Sequence, residues 1–105
     1  LSGKGLATSG NYRKFRTDSS GRKIVHTVDP RTGQPVTSDL LSATVVAETS
    51  AEADAYGTAL MVMGLERGKE FLAAHPEIQA YLIYSDEQGR FQTYVTPELG
   101  RTIAR

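Results

Sequence analysis

The sequence predicts an α+β domain in which antiparallel strands and hairpins pack with one or two helices. Short alternating or β-branched segments occur at both ends of the chain and are separated by turn clusters. One helix-start signature lies near the middle. The resulting order is three strands, two helices and two strands, which favours largely antiparallel pairing.

The first third of the chain predicts an extended opening and a hairpin. Residues 1–7 read as the end of an extended segment that runs into a small polar turn at Thr8-Ser9-Gly10. Residues 11–17 alternate Tyr12 and Phe15 with basic residues, which is typical of a strand with one solvated face. A turn cluster follows, and residues 23–28 form the second strand.

The middle of the chain predicts a rigid loop and a central strand. Residues 29–35 contain two prolines and a glycine, which indicates an irregular loop with little conformational freedom. Residues 40–48 are rich in apolar and β-branched side chains, as expected of a strand buried on both faces.

The predicted helices follow directly. Thr49-Ser50-Ala51-Glu52 matches a capping box. Apolar positions then recur at helical spacing as far as Met63, and Gly64 suits the end of this helix. A second helix is expected from about 66 to 74, closed by His75-Pro76. A hairpin of residues 78–84 and 90–95 and a polar tail complete the chain.

Composition excludes several classes of protein. The 105 residues carry 12 Lys and Arg against 12 Asp and Glu, and no basic run indicates a nucleic-acid partner. Apolar runs are too short to span a bilayer. The absence of cysteine excludes thiol catalysis, disulfides and cysteine-type zinc sites. Composition alone therefore predicts one soluble domain.

Asp54 and Thr58 are the first candidate site. Four residues apart on a helix, they project from one face. A carboxylate and a hydroxyl are oxygen ligands that suit a hard cation such as Mg²⁺. The alternative is structural, since an acidic residue in the first turn of a helix is favoured by the helix dipole.

His26 is the second candidate, because a histidine near the end of a strand that feeds a proline-locked loop is well placed to act as a base. It could equally lie on a solvated strand face. Thr8-Ser9-Gly10 is the third, since small residues let a backbone approach a phosphate closely, although a tight turn explains them as well. Gly57 indicates either close packing of helix on sheet, which we favour, or room for a ligand beside Asp54.

Three motifs in a fixed order carry a more specific signal. They are ATSGNY at residues 7–12, HTVDPRTGQP at residues 26–35 and SATVVAETSAEADAYGTAL at residues 42–60. Together they resemble the C-terminal part of the ApbE family, the Mg²⁺-dependent FAD:protein FMN transferases. The resemblance extends over the helix GLERGKEFLAAHP and the closing hairpin, and it implies that the fold is part of a larger, T-fold-like domain.

The resemblance implies an activity. Such an enzyme cleaves the pyrophosphate of FAD, attaches FMN through a phosphoester to a threonine hydroxyl of an acceptor protein and releases AMP. Asp54 and Thr58 match the family's Mg²⁺ ligands, and His26 matches the histidine proposed to deprotonate the acceptor threonine.

The resemblance also implies which residues contact FAD. Ser9, His26 and the backbone around Val28 match FAD-contacting positions, while Asp29 and Pro30 look like the residues that fix the loop. Some members carry an acidic residue at the position of Gly57, so fewer protein ligands to the metal, with water in their place, are expected here.

Family enzymes are considerably longer than this chain. Residues 1–105 are therefore expected to be the C-terminal fragment of a single flavin-transferase domain whose N-terminal part is absent. The implied acceptor is a redox-pump or electron-transfer subunit on the periplasmic side of the bacterial inner membrane. Membrane attachment is expected only through a lipid anchor on the absent part.

Two other functions remain open from the sequence. One is an FAD pyrophosphatase that releases FMN and AMP with water as acceptor. The other is a non-catalytic flavin-binding or interaction module, which would be the role of these residues in isolation.

Overall fold

A computed structural model describes residues 5–11, 13–97 and 99 of the chain. The predictions for residues 1–4, for Tyr12 and for most of the polar tail lie outside these residues. Within them the elements, in chain order, are β1 (Gly5–Gly10), β2 (Arg16–Thr17), β3 (Lys23–Val28), β4 (Pro35–Ser38), β5 (Leu40–Ala47), α1 (Ser50–Ala74), β6 (Gln79–Ser85) and β7 (Phe91–Val95). The α+β class is confirmed.

The strands of the described residues form two antiparallel sheets. The larger has the strand order β1-β5-β6-β7, and the smaller has the order β2-β3-β4. Strand β5 lies inside the larger sheet, with Leu40, Leu41 and Val45 fully buried. The predicted central strand and the closing β6–β7 hairpin are both confirmed.

The prediction of a turn at Thr8-Ser9-Gly10 is wrong, because these residues complete β1. Thr8 pairs with Thr44 and Ser9 with Ala43 on β5. The Thr8 and Thr44 hydroxyls lie 2.9 Å apart and are hydrogen-bonded. The backbone groups of β5 need partners on both sides, and this tertiary demand extends β1 through residues whose composition suits a turn.

The first hairpin is shorter than predicted. The strand expected over residues 11–17 is reduced to Arg16–Thr17, which pairs with β3. Asn11 begins a local turn instead: its side-chain oxygen accepts from the Arg13 amide at 3.0 Å, and its carbonyl accepts from the Lys14 amide at 2.9 Å. A short polar side chain that bonds its own backbone competes with strand pairing.

Strand β4 was not predicted. Residues 35–38 pair with β3, so the proline-rich loop is the turn of a second small hairpin, in which the Asp29 amide donates to the Gln34 carbonyl at 2.9 Å. This strand begins at Pro35, which lacks an amide hydrogen and is tolerated at the first residue of an edge strand.

The two predicted helices form one element with a break at the expected residue. The Thr49 hydroxyl accepts from the Glu52 amide at 3.1 Å and caps the start of α1. Gly64 has φ 81° and ψ −179°, outside the helical region. Across this break, the Asp39 carboxylate accepts from the Leu65 amide at 3.4 Å and pairs with Arg22 at 2.9 Å.

The main core lies between α1 and the larger sheet, against β1 and β5. Ala53, Leu60 and Leu72 on α1 meet Leu41 and Leu82 in one cluster of buried side chains. The first half of α1 is thereby held against the end of β1. In the described part of the chain, no helix is both long and apolar enough to cross a bilayer.

Candidate active site

A cleft of about 520 Å³ opens beside the first half of α1. Its walls come from β1 with the turn that follows, from β3 and from α1. Four of the residues predicted from the sequence line it: Ser9, His26, Asp54 and Thr58. These positions are up to 49 residues apart in the chain, and antiparallel pairing and helix packing bring them to one place.

Asp54 and Thr58 occupy successive turns of α1 on the face that lines the cleft. Asp54 is exposed and Thr58 is half-buried. The Thr58 hydroxyl donates to the Asp54 carbonyl at 3.1 Å, which leaves the lone pairs of its oxygen available to a cation.

The chemistry of this donor pair fits Mg²⁺. The described residues contain no group of three or more His, Cys, Asp or Glu side chains that could hold a metal, so Asp54 and Thr58 would form a partial shell. Mg²⁺ commonly binds through one or two carboxylates and keeps waters or substrate phosphate oxygens as its other ligands.

His26 lies on β3 directly opposite Thr37 on β4. Its Nδ1 is 3.4 Å from the Thr37 hydroxyl oxygen. In the tautomer that carries its hydrogen on Nδ1, the ring donates to Thr37 and leaves a lone pair on Nε2. That nitrogen is then able to accept a proton.

Asp29 organises the loop that follows β3. Its buried carboxylate accepts from the backbone amide of Arg31 at 2.9 Å and from the Arg31 guanidinium at 3.0 and 3.2 Å. Its carbonyl accepts from the Thr32 and Gly33 amides. These hydrogen bonds from Arg31 lower the pKa of the Asp29 carboxyl. The expectation that Asp29 fixes the loop is confirmed.

Val28 is not brought together with the other four residues. It pairs with Pro35 at the base of the loop, and its side chain is 57% exposed outside the cleft. A role for the backbone around Val28 stays a prediction.

Gly57 is buried where α1 crosses β1. A Cβ at this position would lie 2.5 Å from the Ser9 Oγ, closer than real contacts allow, and 3.3 Å from the Ser9 Cβ, which is a tight contact. Close packing of helix on sheet, the interpretation favoured from the sequence, is therefore confirmed.

Sequence reasoning missed three residues at or beside the cleft. Asn11 and Lys14 line it from the turn after β1, and Thr37 supports His26 from β4. The segment 11–17 was predicted as a strand, in which Asn11 and Lys14 would point to opposite faces of the sheet. Strand β4, which carries Thr37, was not predicted at all. Asparagine is common in turns, so Asn11 could have indicated the turn that brings Asn11 and Lys14 to the cleft.

A second cleft of about 560 Å³ adjoins the first. It lies between the loop after β3 and the next turns of α1, with Ala59, Val62 and Phe71 among its lining. Thr58 lines both clefts. The cleft lined by His26 and the Asp54–Thr58 pair thus continues into a mainly apolar one.

The described residues thus form an antiparallel α+β fold in which His26 and the Asp54–Thr58 pair line the same cleft. Comparison with known proteins gives the family. The sequence model of the ApbE family matches residues 1–82, and the chain belongs to this family.

Relatives carry consistent names. The chain is 39% identical over 98 residues to the FAD:protein FMN transferases of Klebsiella pneumoniae (strain 342) and of Escherichia coli (strain K12). Each match covers 93% of this chain, which spans 27% of the length of these curated relatives.

Solved structures agree with the fold. The apo form of Pseudomonas stutzeri flavinyl transferase ApbE is similar with a TM-score of 0.77 and 37% identity, over 96% of this chain and 31% of that one. The flavin transferase ApbE from Vibrio cholerae has a TM-score of 0.71 and 33% identity, over 93% of this chain and 29% of that one.

Proposed function

We propose that the complete polypeptide that carries this chain transfers FMN from FAD to a hydroxyl group of an acceptor protein. One observation carries the proposal: Ser9, His26 and the Asp54–Thr58 pair line a single cleft. The names of the relatives supply the substrate class. Phosphoryl transfer needs a positioned base and electrostatic stabilisation of the phosphates, and this cleft offers groups for both.

Asp54 and Thr58 are the residues that would hold Mg²⁺. The bound cation would neutralise charge on the pyrophosphate oxygens of FAD. The exposed carboxylate of Asp54 supplies the negative charge that attracts the cation, while the Thr58 oxygen, fixed by its bond to the Asp54 carbonyl, supplies a second donor one turn later.

His26 is the proposed base. Its Nε2 accepts the proton of the acceptor threonine, whose oxygen attacks the FMN-side phosphorus. A new P–O bond forms to the threonine, and the bond from that phosphorus to the bridging oxygen breaks. AMP leaves with the bridging oxygen, and the proton passes from His26 to solvent.

Other groups in and beside the cleft are proposed to orient FAD. The Ser9 hydroxyl contacts it from within the cleft, and the backbone around Val28 contacts it from the base of the neighbouring loop. Lys14 also lines the cleft, and its positive charge complements the negative charge of FAD. The acceptor we propose is a redox-pump or electron-transfer subunit on the periplasmic side of the bacterial inner membrane, reached by a polypeptide with a lipid anchor.

The test is a mass measurement. The complete polypeptide is incubated with FAD, Mg²⁺ and a competent acceptor domain. The acceptor should gain the mass of FMN minus water, at a threonine, and AMP should appear in equal amount. Chelation of Mg²⁺ should abolish the gain. No mass gain with a competent acceptor contradicts the transfer, and FMN and AMP released in its absence favour the pyrophosphatase alternative.

A further inference from the structure

We propose that Gly57 is a positioning residue of the cleft, which holds the Ser9 hydroxyl at a set distance from the Asp54–Thr58 pair. The inference rests on the proposed function. Gly57 lies between Asp54 and Thr58 in sequence, and positions 54, 57, 58 and 61 share one face of α1. Asp54, Thr58 and Met61 line the cleft, so Gly57 faces β1 at the level of the site.

The Ser9 side chain occupies the space that a side chain on Gly57 would need. A Cβ on Gly57 would lie 2.5 Å from the Ser9 Oγ, 3.3 Å from the Ser9 Cβ and 3.7 Å from the Ala43 carbonyl oxygen. Any side chain here forces either the serine hydroxyl to rotate or α1 to move away from β1. Both responses change the spacing between Ser9 and the two oxygen donors.

Rotation of the Ser9 hydroxyl requires less rearrangement than movement of α1 away from β1. Strand β1 is held along its length by its pairing with β5, and Ser9 itself pairs with Ala43. The hydrogen bond between the Thr8 and Thr44 hydroxyls fixes the neighbouring position. Helix α1 is anchored by fully buried Ala53 and Leu60 on either side of Gly57. We therefore expect substitution of Gly57 to displace the Ser9 hydroxyl and to leave the fold intact.

The same helix offers a matched control. Gly68 is also buried in α1, and a Cβ there would meet only the Leu60 Cδ2, at 3.2 Å. That atom is the end of a flexible side chain and lies outside the cleft lining. Gly68→Ala thus makes the same change in helix propensity without touching Ser9.

The experiment compares wild type, Gly57→Ala, Ser9→Ala, the double variant and Gly68→Ala in the complete polypeptide. Calorimetry with Mg²⁺ gives FAD affinity, steady-state assays separate kcat from KM, and thermal unfolding reports the fold. Gly57→Ala should weaken FAD binding and lower kcat by about 10–100-fold, since misplacement by about 1 Å has such an effect. Its Tm should stay close to that of wild type.

The energetic coupling between Ser9 and Gly57 tests the proposed positioning role. In the Ser9→Ala background the 2.5 Å contact is absent, so adding Gly57→Ala should change FAD affinity by less than about twofold. Equal effects of Gly57→Ala in both backgrounds would overturn the proposal, as would an effect of Gly68→Ala as large as that of Gly57→Ala.

Failure of the proposed function is distinguishable. A wild-type polypeptide that binds FAD without turning it over contradicts flavin transfer, while the coupling in FAD affinity still supports or refutes the role of Gly57. A wild-type polypeptide that does not bind FAD at all overturns both.

Discussion

Asp54 is the side chain on which the proposed cation binding depends most directly. It is exposed in the cleft and carries the negative charge of the Asp/Thr pair. Asp54→Ala should lower Mg²⁺-dependent turnover by about 100-fold or more, because loss of a charged ligand removes several kcal/mol of stabilisation. Turnover measured across a Mg²⁺ titration checks this expectation.

The matched control for Asp54 is Glu70→Ala, which removes an exposed acid from a distant turn of the same helix. Circular dichroism and Tm should be unchanged in both variants, and turnover should be unchanged in the control. Wild-type turnover by Asp54→Ala would reject Asp54 as a ligand.

Thr37 is the second residue whose role can be measured. Thr37→Val keeps the shape of the side chain but removes the hydroxyl that lies 3.4 Å from His26 Nδ1. A neutral hydrogen bond contributes about 0.5–1.5 kcal/mol, so kcat should fall about three- to tenfold. The KM for FAD should stay nearly constant, because Thr37 does not line the cleft.

Thr37→Ser restores the hydroxyl and should recover most of the lost kcat. A wild-type kcat in Thr37→Val together with a lowered kcat in Thr37→Ser would show that the methyl group matters, and not the hydrogen bond to His26.

At the residue scale, the sequence identified candidate catalytic and metal-binding side chains, but it missed a residue that orients one of them. His26, Asp54 and Thr58 stand in motifs whose residue types predict a base and a cation site. Thr37 supports His26 only because β4 pairs with β3. Nothing in a solvent-exposed threonine 11 positions later indicates that contact.

At the scale of elements, the break in α1 depends on the backbone conformation of a single residue, Gly64. Gly64 has φ 81° and ψ −179°, a conformation that is nearly exclusive to glycine. Gly64→Ala should therefore lower the free energy of unfolding by about 1–3 kcal/mol. Urea denaturation is the measurement, with Gly68→Ala, which has no positive φ, as the control.

An unchanged free energy of unfolding in Gly64→Ala would contradict this account of the break. The result bears on the site as well, because Asp39 bonds the Leu65 amide after the break and the guanidinium of Arg22, which directly precedes β3 of the smaller sheet. The break thus links the helix that carries Asp54 to the sheet that carries His26.

The elements also show why some boundaries were predictable. The capping threonine, the glycine at the helix break and the turn of the last hairpin are local signals, and each is confirmed. The extent of β1 depends on its pairing with β5, a strand more than 20 residues away in the chain. The existence of β4 depends on the fixed shape of the loop that precedes it. Local composition carries neither.

At the scale of the whole molecule, pH acts through carboxylates bonded in turns. Hydrogen bonds lower the pKa of Asp29, Asp18 and Asp86 from the ordinary value of 3.8. A carboxyl with a lowered pKa stabilises the folded state at pH values above its ordinary pKa. This stabilisation is lost as pH falls through the folded-state pKa.

The loop after β3 should accordingly keep its structure from neutral pH down to about pH 5 and loosen below about pH 4. Hydrogen exchange of the Thr32 and Gly33 amides, corrected for intrinsic rates, measures this. Asp29→Asn should loosen the loop at pH 7 and remove most of the pH dependence. A loop equally protected at pH 3 and pH 7 would contradict the role of the carboxylate.

The length of the chain bears on activity. It spans 27% of the length of curated relatives that are 39% identical to it, and the proposed cation donors Asp54 and Thr58 would form only a partial shell among the described residues. We expect the isolated 105-residue chain to show negligible FAD turnover under conditions in which the complete polypeptide is active. Brisk turnover by the isolated chain would contradict this.

The sequence by itself determined the α+β class, the core strand, the helix with its cap and break, and the family, because these depend on local periodicity, turn chemistry and ordered motifs. Only the tertiary structure decided that Ser9 belongs to a strand, that Thr37 supports His26 and that Gly57 lies against Ser9. Those contacts join distant segments, and their geometry is set by strand pairing and by helix packing on the sheet.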